Sequence, residues 1–257
     1  MLSTWLGVPR RVEPYSQLPA IYDFVMRHVN YRDWACYLIQ LFSQADIPVT
    51  NVLDIACGTG SLILSLFDFN INIAGFDESE EMIKVAKVKA SKKGLRLPIW
   101  RGSMFGFAVR RPVHAIVCTY DSLNYCVEKS QCQSVFYHAS NALAPGGVLI
   151  FDVCTIKNSL QNFSRYYEKE TTRDFNYIRQ SYYSKNKRLQ VNEFYIKWKA
   201  KSAPLFQEIH HQKIYRIDEL VGLVPTEYFK IVGVYNGFTL EAGSEDSERV
   251  HFVLKKR

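Results

Sequence analysis

No apolar run in the 257 residues approaches the roughly 18 that a membrane-spanning helix needs, so no membrane partner is expected. The six cysteines (Cys36, Cys57, Cys118, Cys126, Cys132, Cys154) contain no C-x-x-C pair. No Cys, His or carboxylate cluster has ligand spacing, and neither a metal site nor a disulfide framework is expected. There is no internal repeat and no low-complexity segment. The leading MLSTWLGVPRR sets its charges after a very short apolar stretch, the reverse of a secretory signal, and a cytoplasmic location follows as an expectation. What is present argues against disorder: 47% of residues are hydrophobic and 14% aromatic, enough for a full core near the upper size of one domain. The net charge of +7 comes from dispersed Lys and Arg without a continuous basic arm. The densest stretch, Lys84, Lys87, Lys89, Lys92 and Lys93, falls on the outer face of a predicted helix, so a nucleic-acid partner is not expected.

Along the chain, an amphipathic helix over 31–44 precedes apolar runs near 51–56, 71–77, 97–101, 114–119 and 147–153, each read as a strand. Helical patterns near 60–68, 79–92 and 129–143 separate them, the last closed by Ala144-Pro145-Gly146-Gly147. Alternation of this kind marks βαβ units and a parallel sheet. From about 165 to 215 the texture becomes alternating strands rich in Tyr, Phe and charge, read as an antiparallel sheet with one wet face. A helix near 218–223 and strands near 229–235 and 249–255 follow. The strand over 188–198 changes phase between Val191 and Phe194, which predicts a bulge or face switch near Asn192 and Glu193.

The segment Val52-Leu53-Asp54-Ile55-Ala56-Cys57-Gly58-Thr59-Gly60-Ser61 is a strand entering a glycine turn and then a helix. Gly58 and Gly60 permit tight geometry and close approach of a ligand, and the helix start offers free N–H groups. A dinucleotide fingerprint wants a third glycine where this chain has Ile63, and Asp54 would repel a pyrophosphate. A zwitterion fits better. Seventeen residues after Gly60, Asp77 ends the second strand, where its carboxylate can receive both ribose hydroxyls; Asp77 or Ser79 can equally cap the following helix.

With DIACGTG, GFD and the later APGG, the chain resembles class I S-adenosylmethionine-dependent methyltransferases. It is similar in particular to their small-molecule branch of amino-sugar N,N-dimethyltransferases and glycine N-methyltransferase-like enzymes. The narrower likeness rests on Tyr15, Ile21-Tyr22-Asp23 and Val29-Asn30-Tyr31-Arg32-Asp33-Trp34, on Thr119-Tyr120-Asp121-Ser122-Leu123-Asn124-Tyr125, and on Glu208-Ile209-His210-His211-Gln212-Lys213-Ile214-Tyr215. The resemblance implies an α/β, Rossmann-like, mostly parallel seven-stranded sheet with helices on both faces and an inserted antiparallel sheet. Residues 1–153 and 217–257 would form the cofactor domain with an N-terminal helical lid, and 154–216 the inserted substrate cover. It also implies S-adenosyl-L-methionine as cofactor, S-adenosyl-L-homocysteine as product, and a monomer or homodimer acting on a small-molecule methyl acceptor. Asp54, Ala56, Cys57, Gly58 and Gly60 would surround the methionine portion, Asp77 the ribose and Met82 the adenine. Tyr15 and Tyr22 would fold toward the methionine carboxylate, although Tyr22 also suits ordinary core packing. Ser103 stands where many relatives carry an Asp for the adenine amino group, with the Met104 N–H beside it.

Methyl transfer to a neutral amine needs positioning and dehydration more than a strong base. Tyr120 is read as facing the transferred methyl, with Asp121 and Asn124 orienting the acceptor; an Asx-type turn is the alternative for Asp121. His210 and His211 must point to opposite faces of one strand, and His210 shares its face with Glu208, an arrangement that can tune a base. The inserted sheet is expected to roof the cavity with aromatic walls. Two competing functions remain open at this point: an RNA methyltransferase, and a non-catalytic cofactor-binding subunit of a complex.

Overall fold

The computed structural model describes residues 8–200 and 202–257, so the reading of the leading segment lies partly outside the described residues. The central sheet begins with β2 (Asn51–Ile55), β3 (Asn72–Asp77), β4 (Ile99–Arg101), β5 (Val113–Cys118) and β6 (Leu143–Cys154), preceded in the chain only by β1 (Arg10–Arg11). Its helices are α1 (Tyr22–Val25), α2 (Tyr31–Phe42), α3 (Ser61–Phe67), α4 (Glu80–Lys92) and α5 (Lys129–Ala142). After α6 (Ile156–Asn162) come β7 (Arg165–Thr171), β8 (Phe175–Ser184), β9 (Leu189–Trp198) and β10 (Leu205–Lys213). The chain closes with α7 (Ile217–Leu223), β11 (Phe229–Asn236) and β12 (Arg249–Lys256).

The seven-stranded sheet has the order β11-β12-β6-β5-β2-β3-β4. All neighbours pair in parallel except β12, which runs against both β6 and β11. The period of two along each strand sends side chains to opposite layers. Val52, Val148 and Ile150 join α2, α3 and α4 on one face, while Leu53, Ile55, Leu149 and Phe151 join α5 and α7 on the other. The strand order reverses at β2, and open α/β sheets bind ligands at such a switch point, outside the carboxyl ends of the strands. Helix starts are well marked there: Asn30 caps α2 and Ser79 caps α4, whose first turn carries Glu80 and Glu81.

The second sheet has the order β1-β10-β9-β8-β7, and Arg10 and Arg11 of the N-terminal segment pair in parallel with β10. It corrects one reading of the sequence. There is no bulge at Asn192 and Glu193: β9 keeps continuous register with both β8 and β10. The phase change arises because Gln190 and Asn192 occupy buried positions on the same face as Phe194 and Ile196. Their amides are satisfied by Ser159 (2.9 Å), Ser181 (2.6 Å) and Gln212 (3.0 and 3.2 Å), so polar residues can sit where apolar ones were expected. The apolar half of that face, Tyr177, Phe194 and Ile196, packs on Leu18, Ile21, Val25 and Met26 of the N-terminal segment. The segment thus lies between the sheet and the crevice.

Candidate active site

β2 ends in a turn whose Gly58 and Gly60 adopt φ of +54° and +74°, the left-handed region that L side chains rarely enter. A Cβ on Gly60 would meet that of Ala86 at 3.1 Å, whereas one on Gly58 would meet nothing within 4 Å. Gly60 therefore serves the packing of α3 on α4, and Gly58 leaves open space beside the main chain. Asp77 closes the turn from β3: its carboxylate accepts the N–H groups of Gly58 and Ser79, both at 2.9 Å. Burial raises the Asp77 pKa, with the two N–H bonds pulling the other way. Asp54 is buried with one carboxylate oxygen unpartnered, and burial, helped by the neighbouring Asp77, pushes it up to about 8.

These groups open on a cavity of about 430 Å³. Ala56, Cys57, Thr59, Gly102, Met104 and Phe105 line it from the turns after the strands and Met82 from α4, with Tyr120, Ser122 and Tyr125 from the loop after β5 and Tyr15, Tyr22 and Tyr31 from the N-terminal segment. An unpartnered buried carboxylate, an open glycine cradle and a ribose-height Asp fit a nucleoside that carries a cationic amino-acid tail. Asp54, Gly58 and Asp77 would hold such a cofactor, which supplies an activated methyl group.

The N-terminal segment is tied to the rest at three places. Asp23 of α1 accepts from the Thr59 hydroxyl (2.6 Å) and pairs with Lys89 (2.8 Å), so one member of the lysine cluster is a latch and not a solvated side chain. The Tyr15 carbonyl accepts from the Ser79 hydroxyl at 2.8 Å. From β10, the fully buried Glu208 receives four successive backbone N–H groups, those of Tyr15 (2.7 Å), Ser16 (3.1 Å), Gln17 (2.5 Å) and Leu18 (2.9 Å). The same carboxylate lies 3.1 Å from His210 Nε2. Burial opposes its charge, yet the bonds from His210, Leu18 and Gln17 prevail and hold its pKa below the ordinary value.

The loop after β5 is strained. Tyr120 and Asp121 both have positive φ, +60° and +56°, at non-glycine positions. Asp152 on β6 holds them there by accepting the N–H of Tyr120 (2.6 Å) and of Asp121 (3.1 Å). Arg249 of β12 pairs with both the Asp152 and the Asp121 carboxylates. Burial lifts Asp152 to about 6 against the pull of Arg249.

Ten of the residues singled out in the sequence reach the cavity wall: Tyr15, Tyr22, Asp54, Ala56, Cys57, Gly58, Asp77, Met82, Met104 and Tyr120. Five do not. Gly60 faces Ala86, and the Ser103 hydroxyl accepts the Phe105 N–H while Gly102 and Phe105 take the wall positions beside it. Asp121 is engaged by Arg249. Asn124 is a buried brace, donating to the Lys213 carbonyl (2.8 Å) and accepting the Cys154 N–H (3.1 Å). His210 stands behind Tyr125, whose hydroxyl is 3.0 Å from its Nδ1. Tyr215 also lies away from the cavity, its hydroxyl donating to the Cys126 carbonyl in the core. Nor does the inserted sheet supply aromatic walls: among the described residues none of β7–β10 lines the cavity, and the tyrosines of the N-terminal segment stand between. Tyr125, Thr59 and Asp23 lay inside quoted motifs, but nothing local marked them as functional. The grip of Glu208 spans some 190 residues and leaves no local signal.

Residues 52–147 match the Methyltransf_25 family, described as a methyltransferase domain. YqeM of Bacillus subtilis (strain 168), which carries a provisional methyltransferase name, is 28% identical over 246 residues, covering 94% of this chain and 97% of that protein. A dTDP-3-amino-3,6-dideoxy-alpha-D-glucopyranose N,N-dimethyltransferase of Streptomyces fradiae is 22% identical over 53% of this chain and 52% of its own length. The fold is shared with a solved S-adenosylmethionine-dependent methyltransferase from Clostridium acetobutylicum ATCC 824, at a TM-score of 0.79 and 23% identity, over 94% of this chain and 98% of that one.

Proposed function

From the premise that the chain is an S-adenosylmethionine-dependent methyltransferase with a Rossmann-like class I fold, we propose that it methylates an amine nitrogen on a small molecule. One observation carries the choice. The cavity wall holds Glu13, Asp54, Asp77 and Glu78 but, among the described residues, no Lys, Arg or His. An acidic chamber suits a sulfonium cofactor and an amine acceptor. RNA, whose backbone would need basic contacts, is disfavoured by the same charge pattern. Tyr15, Tyr22 and Tyr31 of the N-terminal segment cover part of the cavity, which limits the water that reaches an amine nucleophile there. Tyr120, locked in its left-handed turn, is the loop residue presented to the reacting centre, and Tyr22 and Tyr31 complete an aromatic wall that can shelter a methylated, cationic nitrogen. The dimethyltransferase named above acts on an amino sugar by its name, which supports an amine here.

The test combines calorimetry with a transfer assay. S-adenosylhomocysteine should bind, and Asp77→Ala should weaken it by about 1 to 3 kcal/mol through lost charge-assisted hydrogen bonds. Labelled methyl from S-adenosylmethionine should pass to members of a panel of amino sugars and small amines. Transfer only to hydroxyl acceptors or to RNA, or binding without transfer to anything, would refute the amine assignment.

A further inference from the structure

Glu208 fixes the direction of a four-residue hydrogen-bonded chain that ends in the cavity. Its oxygens receive the N–H groups of Tyr15, Ser16, Gln17 and Leu18, all within 3.1 Å, and a carboxyl so surrounded by donors can only accept. His210 Nε2, 3.1 Å from Oε2, must therefore carry a proton and donate it. His210 is almost wholly buried, and burial favours its neutral form, so that proton is its only one and Nδ1 is bare. Nδ1 then accepts from the Tyr125 hydroxyl at 3.0 Å. Having one proton, Tyr125 has spent it, and at 2.5 Å its oxygen must accept from the Tyr15 hydroxyl. Tyr15 has likewise spent its own proton, which leaves its oxygen as an acceptor. Both tyrosines line the cavity. The groups around the imidazole are Glu208 and His211 of its own strand, Arg179 of β8, Tyr125 from the loop after β5 and Tyr15 from the N-terminal segment.

We infer that the Tyr15 hydroxyl is the proton acceptor of the site, and that the methyl acceptor is an amine presenting an N–H to it, with Tyr125, His210 and Glu208 as positioning residues that store the proton. The inference rests on the amine reading above. When the amine nitrogen bonds the methyl carbon and the carbon–sulfur bond breaks, the nitrogen is left with a surplus proton. That proton passes to the Tyr15 oxygen as the Tyr15 proton moves to Tyr125 and the Tyr125 proton to His210 Nδ1. The products are a neutral methylated amine and an imidazolium beside the Glu208 carboxylate. The His210–Tyr125 and Tyr125–Tyr15 bonds are reversed by this one transfer while His210 Nε2 goes on donating to Glu208, and return of the proton along the same chain resets it. A neutral amine is thereby regenerated, which a second methylation would require.

The direction can be read without any acceptor. In protein labelled with ¹⁵N-histidine, long-range correlation spectra at neutral pH should show His210 protonated at Nε2 alone, its signal assigned by its loss in His210→Asn. A proton on Nδ1, alone or together with Nε2, overturns the inference. In the transfer assay, Tyr15→Phe and Tyr125→Phe, which keep both rings, should lower kcat for the amine acceptor by roughly 10-fold or more. KM and S-adenosylhomocysteine affinity should stay within about threefold, less than the loss of one net hydrogen bond. Equal losses of cofactor affinity and rate would mean that the hydroxyls only hold the fold, and would overturn it. A wild-type protein that methylates no amine, or that binds no S-adenosylhomocysteine, removes the underlying amine reading instead, so the two failures are told apart.

Discussion

Asp54 is a carboxyl that the fold keeps protonated near neutral pH: burial and the neighbouring Asp77 raise it to about 8, and one of its oxygens has no partner. An ammonium group placed beside it favours the ionised form, so cofactor binding should expel a proton. S-adenosylhomocysteine affinity is thus expected to rise as pH increases toward 8 and then level, and Asp54→Asn should bind weakly with little pH dependence. Calorimetry in buffers of different ionisation enthalpy would reveal the released proton; its absence would place the ammonium elsewhere. In the ligand-free protein the sign reverses. A raised carboxyl pKa gives stability that is full below about 3.8 and is lost as pH climbs through about 8. Sequence placed Asp54 beside the methionine portion and marked it as repulsive to phosphate, but not its raised pKa, because its desolvation depends on strands that pack around it.

At the scale of elements, Arg249 on β12 governs a loop after β5 by bridging Asp121 and Asp152. Arg249→Met would leave two mostly buried carboxylates facing each other and unpaired. The expected cost is about 3 to 5 kcal/mol in urea unfolding, and a loss under about 1 would show the loop to be held by packing alone. Such a bridge is invisible in the local pattern, where Asp121 reads as a turn residue. The central strands were legible for the opposite reason. Val52-Leu53, Ile116-Val117 and Val148-Leu149-Ile150 are buried on both faces and form near-continuous apolar runs, whose signal is local. In β9 the same reasoning failed, since Gln190 and Asn192 look like surface residues until Ser159, Ser181 and Gln212 arrive from elsewhere in the chain to satisfy them.

For the molecule as a whole, acid sensitivity should trace to His251. This ring is buried among Trp34, Tyr37 and Phe238, and burial, aided by the nearby Arg249, lowers it to about 3. A histidine held neutral in the fold contributes stability that is full above about 6.5 and is lost as pH falls toward 3. His251→Phe, which keeps a ring in the cluster, should flatten the loss of melting temperature across that interval; an unchanged acid limb would assign it to carboxylates such as Glu219, whose pairing with Arg188 lowers it to about 2. The glycine turn, Asp77 and the order of the central strands could all be read from the chain. The closure of the cavity could not, because its parts meet only in three dimensions.

The four amides gripped by Glu208 also act as a clock. If a ligand beneath Tyr15 and Tyr22 leaves by lifting of this segment, its residence time is bounded by the waiting time for those bonds to break together. Amide hydrogens of residues 15–18 should then exchange with deuterium as one unit, at a rate that bounds the escape of S-adenosylhomocysteine. Glu208→Gln, by weakening the grip, should quicken both in parallel.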